Sequence, residues 1–544
     1  MAHAITIYDT TLRDGTQGEG VQVAVADKLR LARVFDDVGF HFIEAGWPGS
    51  NPRDAEFFQL AKREQFATSK LVAFGATHRP GLTCEDDMSV QALIRSEVPA
   101  VAIFGKASSF QVEKILNVRL EENLSMVYDT VRYLKRYFDT VVFDAEHFFD
   151  GYWQDPDYAL SVLSVATDAG ASWVTLCDTN GGSLPTDVRR ATAAASMVVS
   201  APLGIHAHND TGMAVANSLS AIRAGATMLQ GTVNGHGERC GNADLITSIA
   251  NLELKMGFEC LGAEGLAGLK ALSKTVDRYA HCRPNPAQPY VGERAFAHKG
   301  GVHVHAVMKE SRAYEHVSPE RIGNSRRILV SDLAGRSALA EKAREFGIQA
   351  DAKSSWIGRA LERVKDLENQ GYRFEDSDAS LELLLLSEGT DAREAIQFQG
   401  ARILAEVGDY ADEGDSERSE AQIKLCLHGA TVEASASGRG PVHALALAFQ
   451  KACGDVFPLV AQVKLEEYRV DVLDEQEGFG ARVRVCIRAT DGQQSWDVQG
   501  VSHNIIEASS QAIADAYEYA MVVISRLGRC NEDGRSEPGL VQVK

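Results

Sequence analysis

The chain has 544 residues, too many for one compact core, so two or three domains are expected. Hydrophobic residues make up 45% and charged residues 24%, an ordinary soluble composition. The formal net charge of −20 would be repelled by a phosphate backbone, which excludes nucleic acid as the expected partner and means that an anionic substrate needs a local cluster of Arg, Lys or metal charge.

From Ile5 to about Lys255 short β-rich runs alternate with helical patterns. AITIY ends at Tyr8, HFIEAG starts at His41, KLVAFG at Lys70 and PAVAIFG at Pro99. TVVFDAE follows from Thr140, SWVTLCD from Ser172, LGIHAH from Leu203 and MLQGTV from Met228, making eight strands. VADKLRLARVFDDVG, DYALSVLSVATDAG and GMAVANSLSAIRAG are amphipathic helices that each end in Gly, a common residue just past a helix. Strands alternating with helices imply a parallel sheet, and eight units close into a (β/α)8 TIM barrel with catalytic residues at the C-terminal strand ends. A doubly wound open sheet is the alternative, but no Gly-rich dinucleotide fingerprint follows the first strand.

A Gly-, His- and Pro-rich accessory stretch runs from Arg283 to Val307, and a helical region continues to about Leu386. Val407 to Glu420 is acidic and reads as an exposed linker. Beyond it AQIKLCLHG, YRVDVLD and ARVRVCIRATDG alternate apolar and polar residues as half-buried antiparallel strands do. With two helical runs, PVHALALAFQKACG and NIIEASSQAIADAYEYAMVVISRL, they predict a separate α+β domain. The expected divisions are residues 1–280 for the barrel, 281–395 for accessory subdomains and 396–535 for the C-terminal domain. No short-period repeat stands out. Nine scattered cysteines, none in a C-x-x-C pair, suit a reducing compartment. With neither a signal sequence nor a bilayer-length apolar stretch, a cytoplasmic protein without membrane contact is expected.

The residues that carry chemistry cluster at strand ends. In IHAHND, His206 and His208 are two apart, so a strand points both imidazoles to one side, where they can grip one divalent ion. Two ordinary histidines are the bland reading, made less attractive by the position at a barrel strand's catalytic end. In DTTLRDGTQ, Asp14 can supply an anionic oxygen ligand and Arg13 a fixed positive fork, although Asp-Gly alone would suggest a turn with a surface ion pair. Two His and a carboxylate also match non-haem iron oxygenases, whose chemistry usually sits on antiparallel folds. In NGHGERCGNADL glycines allow close backbone approach, and Asn242 can add a neutral oxygen or serve as a helix cap.

LRDGTQ followed by Lys28, and LGIHAHNDTGMAVA, resemble the two signatures of the isopropylmalate, homocitrate and citramalate synthase family. The resemblance implies a metal-dependent acyltransferase that condenses acetyl-CoA with a 2-oxo acid. It implies Asp14, His206 and His208 as metal ligands with Asn242 as a further one, and Arg13 on the substrate carbonyl. Glu44 in FIEAG resembles the acidic partner that orients this Arg, Glu146 in FDAEHFFDGY a catalytic carboxylate, and Thr179 in LCDTNG the residue holding the substrate carboxylate. FAHKGGVHVHAV is similar to the family's mobile segment, with His303 at the matching position and Tyr314 as the tyrosine that reaches over the site. Val304 and His305 depart from the Gln-Asp of the isopropylmalate branch. GWPGSNP, HFFDGY and GERCGNADL resemble the citramalate branch, whose acceptor is pyruvate; 2-isopropylmalate synthase (2-oxoisovalerate as acceptor) and homocitrate synthase are the alternatives.

The C-terminal domain resembles the family's allosteric and dimerisation domain, which implies a homodimer and an amino-acid effector, isoleucine. Zinc, manganese and magnesium all suit mixed N and O ligands. Glu146, His303 and Tyr314 remain joint candidates for the general base. A retro-aldol lyase or a non-catalytic ligand-binding regulator is the remaining alternative; a lyase would not need the extra domain, and a retired barrel should have lost Arg13, Asp14 or the His pair. Phe74 and Phe104, near the ends of strands three and four, would narrow the acceptor pocket if they point inward.

Overall fold

A computed structural model describes residues 4–389, 396–405, 419–456, 462–474, 478 and 480–533. Eight parallel strands form a closed barrel: β1 (Thr6–Asp9), β2 (Phe42–Gly46), β3 (Lys70–Ala76), β4 (Ala100–Lys106), β5 (Thr140–Glu146), β6 (Trp173–Asp178), β7 (Leu203–Ala207) and β8 (Met228–Gly231). Closure is made by β8 on β1, in register from Thr6 opposite Met228 to Asp9 opposite Gly231. The connecting helices are α1 (Val25–Val38), α2 (Pro52–Ala61), α3 (Met88–Arg95), α4 (Leu120–Leu134), α5 (Phe148–Gln154), α6 (Pro156–Asp168), α7 (Pro185–Val198) and α8 (Ala214–Arg223). After β8 come α9 (Leu245–Asn251), α10 (Gly262–Ala267) and α11 (Leu269–Tyr279).

Each strand's two-residue period separates two cores. Ile7, Ile43, Leu71, Val101, Val141, Val174, Ile205 and Leu229 pack outward in the layer shared with the helices. Tyr8, Phe42, Val72, Phe74, Ala100, Ala102, Val142 and Met228 fill the barrel interior. Followed toward the C-terminal strand ends, the same inward positions become polar: Glu44, Asp144, Glu146, Thr175, His206 and Gln230. An apolar floor beneath a polar mouth is the arrangement in which a barrel carries catalysis.

Two compact units divide the chain: Met1–Phe296 with His316–Arg326, and Ala297–Glu315 with Arg327–Lys544. Tyr290, Val291, Phe296 and Ile322 are buried in the barrel's outer core, which ties those segments to the first unit. The second unit contains β9 (Ala297–His298), α12 (Gly301–Lys309), β10 (Arg327–Ile328), α13 (Arg336–Glu345), α14 (Ser355–Asn369) and α15 (Asp378–Gly389). It continues with β11 (Ile396–Ala405), β12 (Ser419–Leu427), β13 (Ala430–Gly438) and α16 (Pro441–Val456), then β14 (Lys464–Val472), β15 (Val483–Thr490), β16 (Ser495–Ser502) and α17 (Ile505–Asp533). This is one βββα pattern used twice, with two three-stranded antiparallel sheets.

The expected α+β domain is present, but β11, β13 and β16 were not anticipated. Gln499–Ser502, whose Gly500 alone would suggest a turn, closes β16. Gly500 is required by close approach: a Cβ there would lie 2.1 Å from the Ala508 carbonyl oxygen. The expected linker lies outside the described residues except for Ser419 and Glu420, which open β12. No helix among the described residues is long and apolar enough to cross a membrane.

Candidate active site

Just beyond β1 the backbone turns tightly, with the N–H groups of Arg13, Asp14 and Gly15 all donating to the Thr10 carbonyl at 3.2, 2.9 and 3.1 Å. The turn sets Arg13 and Asp14 side by side at the C-terminal barrel end. Glu44 on β2 is fully buried and accepts from Tyr8 Oη at 2.5 Å, Thr10 Oγ1 at 2.7 Å and Arg13 Nε at 2.6 Å. Three donors on one carboxylate offset its desolvation. Arg13 also lies over the Phe74 ring, 3.8 Å from its centroid, and its other edge is 3.6 Å from Asp14 Oδ2. Burial disfavours the guanidinium charge, but Glu44 and Asp14 outweigh it and strengthen its hold on the proton. Arg13 is thus a fixed cation whose plane is set by a carboxylate on one side and a ring beneath.

Asp14, after β1, and His206 and His208, at the end of β7, converge from the two strands that flank β8, each with one ligand atom within 4.8 Å of the others'. Asp14 Oδ2 is 3.2 Å from His206 Nε2 and 3.8 Å from His208 Nε2, and the two Nε2 atoms are 3.3 Å apart. Asn242 reaches the same point, 3.0 Å from Asp14 Oδ2 and 3.2 Å from His206 Nε2 through Nδ2. Burial raises the cost of ionising Asp14, yet Arg13 and the two imidazoles hold it well below the usual carboxylate range. Burial and the neighbouring His206 push His208 down to about 4, which leaves it a neutral lone-pair donor.

The donor set fits a divalent cation. Two imidazole nitrogens and a carboxylate oxygen within 4 Å of one another form an electron-rich nest, and Asn242 Oδ1, buried without a hydrogen-bond partner, would face it once the amide is turned over. The loop after β8 allows this packing because Gly237 has no side chain: a Cβ there would sit 1.9 Å from Asn242 Oδ1.

An aromatic wall stands beside Arg13. Phe74 and Phe104 stack at 5.5 Å, and Trp47 meets both edge-on at 5.7 and 5.6 Å. Trp47 is held by its backbone N–H donating to Asp54 Oδ2 at 2.8 Å, and Asp54 is paired in the interior with Lys28 at 2.7 Å. Glu146, at the end of β5, is ion-paired with Lys106 from the end of β4. Thr179 accepts through Oγ1 from the His147 N–H at 2.8 Å, and its carbonyl accepts from Arg239 at 2.8 Å. His303 and Tyr314 belong to the second unit, where both are exposed and their rings stack at 4.2 Å. The structure therefore brings Arg13, Asp14, Glu44, His206, His208 and Asn242 into direct contact, places Glu146 and Thr179 at neighbouring strand ends, and pairs His303 with Tyr314 on a different unit.

Residues 4–271 match the HMGL-like family, 290–372 the homocitrate synthase post-HMGL domain-like family, and 375–521 the LeuA allosteric (dimerisation) domain. An (R)-citramalate synthase of Aquifex aeolicus (strain VF5) is 47% identical over 523 residues, covering 96% of this chain and 98% of its own length. Another, of Geobacter sulfurreducens, is 45% identical over 517 residues, covering 95% and 97%. The chain belongs to the (R)-citramalate synthase family. A probable 2-isopropylmalate synthase of Methanopyrus kandleri is more distant, 32% identical over 540 residues and covering 98% of this chain and all of its own. Among solved structures, an HMG-CoA lyase of Bacillus subtilis aligns with a TM-score of 0.46 at 20% identity, over 53% of this chain and 98% of that one. Membership of the (R)-citramalate synthase family makes the chain a condensing transferase that uses an acyl-CoA, and implies a divalent metal and acetyl-CoA at the site.

Several side chains of the site escaped the sequence reading. Tyr8, Thr10, Lys106, Asp144, Thr175 and Gln230 are polar groups within or beside otherwise apolar strands. Their signal was a polar residue at an inward strand position near a C-terminal end, which is legible only once the inward side is known.

Proposed function

We propose that the enzyme joins acetyl-CoA to pyruvate and hydrolyses the resulting thioester to citramalate. The observation that carries this reading is the buried cluster of Asp14, His206, His208 and Asn242 beside Arg13 and the Trp47–Phe74–Phe104 wall. Asp14, His206 and His208, with Asn242, would hold the divalent ion; zinc, manganese and magnesium all accept such N and O donors. When bound, the ion supplies Lewis-acid polarisation of the 2-oxo carbonyl.

The protein's own groups do the rest. Arg13, locked by Glu44 and Phe74, places a fixed positive charge where the carbonyl oxygen becomes an alkoxide, a contribution that needs no reorganisation during reaction. Thr179 supplies a hydroxyl for the acceptor's carboxylate. A base takes one proton from the acetyl methyl, that carbon bonds to the keto carbon, and the alkoxide is protonated. Water then cleaves the thioester, releasing CoA thiol and a carboxylate. Glu146, His303 and Tyr314 are the candidates for the base, alone or as a relay.

The three-ring wall favours a methyl group over a branched chain at the acceptor, because overfilling a rigid pocket is costly. Following CoA release with a panel of 2-oxo acids tests the assignment: pyruvate should have the highest kcat/KM, and a higher value for 2-oxoisovalerate would move the enzyme to the isopropylmalate branch.

The match of residues 375–521 to an allosteric dimerisation domain supports a homodimer whose βββα modules bind isoleucine and slow the barrel. Two Gly-containing stretches lead into helices of this domain, GRGPVH (Gly438 to His443) before α16 and QGVSHN (Gln499 to Asn504) before α17; at the latter Asn504 Oδ1 already accepts from the Ile506 N–H at 2.9 Å, so the turn leading into α16 is the better place for an effector carboxylate. The eight cysteines characterised in the structure are free thiols, which supports a cytoplasmic location.

A further inference from the structure

Four consecutive strands contribute to a buried polar chain beneath the His pair. Gln230 on β8 is completely buried, as is Thr175 on β6, and Asp144 on β5 is 3% exposed. Gln230 Nε2 donates to Asp144 Oδ1 at 3.0 Å and to Thr175 Oγ1 at 3.0 Å. Its Oε1 lies 3.0 Å from His206 Nδ1. These contacts settle which way the amide faces. Turned over, it would press its oxygen against the Asp144 carboxylate.

An amide oxygen at Nδ1 requires the imidazole proton there. In the neutral imidazole, the form that binds a cation, the other nitrogen, Nε2, then has its lone pair toward Asp14 and Asn242. Both protons of the Gln230 amide are used, and no water is needed to complete the set. His208 is held differently, since its Nδ1 is buried without a partner.

We infer that Gln230 is a positioning residue for the metal site: oriented by Asp144 and Thr175, its amide fixes the tautomer and rotation of His206 so that Nε2 is preset as a ligand. The inference rests on the reading of Asp14, His206 and His208 as metal ligands. Outer-shell partners of ligating histidines typically change metal affinity about 10- to 100-fold when removed. His206 should therefore be the preorganised ligand, with His208 completing the site on binding.

The test measures manganese affinity of the full-length protein by calorimetry, with thermal unfolding of the metal-free protein recorded alongside. Gln230→Leu should weaken manganese binding about 10- to 100-fold. Thr175→Val, which removes one orienting contact without touching His206, should weaken it about two- to tenfold, the worth of one hydrogen bond. Exchanging the two groups, Gln230→Glu with Asp144→Asn, restores an acceptor at Nδ1 and a donor facing it, and should recover most of the affinity lost in Gln230→Leu. A wild-type protein that binds no manganese at this site would sink the metal-site reading itself. Normal binding by wild type, with Gln230→Leu binding equally well and losing only thermal stability, would overturn the positioning role alone.

Discussion

The barrel mouth and the α12 segment hold their polar side chains in opposite ways. At the mouth, Glu44 has three donors and Arg13 is fixed by a carboxylate and a ring, while Asp14 sits among two imidazoles and an amide, all buried or nearly so. On the other unit, His303 and Tyr314 are solvent-exposed and stack on each other. The contrast suggests a division of labour. Groups that stabilise developing charge gain from being preset in a dry site, whereas a group that takes and returns a proton benefits from access and adjustability.

The contrast predicts a graded series of losses. Removing the metal with a chelator, or replacing His206 by Ala, should bring turnover to background; add-back of a divalent ion should restore the chelated wild type and leave His206→Ala inactive. Full activity in metal-free His206→Ala would show that the buried cluster is not the working centre. Arg13→Lys keeps the charge but loses the planar fork that pairs with Glu44 and, on the proposed reading, would also reach the substrate, so kcat should fall about 10²- to 10³-fold. If Arg13 serves only to pair with Glu44, melting temperature will fall while turnover per folded molecule is spared.

His303→Ala should lower kcat by about a hundredfold, within the range of general acid–base catalysis, with no change in melting temperature or metal affinity. Tyr314→Phe keeps the stacked ring and should have the smaller effect. Loss of stability in His303→Ala would break the comparison, because it would place His303 among the structural groups. The smallest effect expected is regulatory. Isoleucine should bind the intact enzyme and slow it about 5- to 150-fold at most, the usual range of coupling between sites. If neither isoleucine nor leucine binds or changes the rate, the C-terminal modules are structural.

The barrel was readable from sequence because its strands are largely apolar on both faces and separated by amphipathic helices, three of which run into Gly. Gly39, for example, takes the left-handed conformation after α1 that this signal anticipates. The C-terminal domain was less readable. β13, ATVEASASG, is made of small residues with weak alternation, and β16 carries Gly500, which resembles a turn signal but exists because α17 packs close. At the site, Asp14, His206 and His208 stood out by chemical type and spacing. Gln230 and Asp144 did not, since their importance lies in which side of the strand they occupy and in contacts spanning dozens of residues.

The most direct test of the account is the acceptor specificity of the purified enzyme with acetyl-CoA and a divalent metal. Initial rates of CoA release should give pyruvate a kcat/KM above that of 2-oxobutyrate and well above that of 2-oxoisovalerate, with no release after metal removal. A kcat/KM for 2-oxoisovalerate equal to or above that for pyruvate, or undiminished CoA release in metal-free protein, would contradict it.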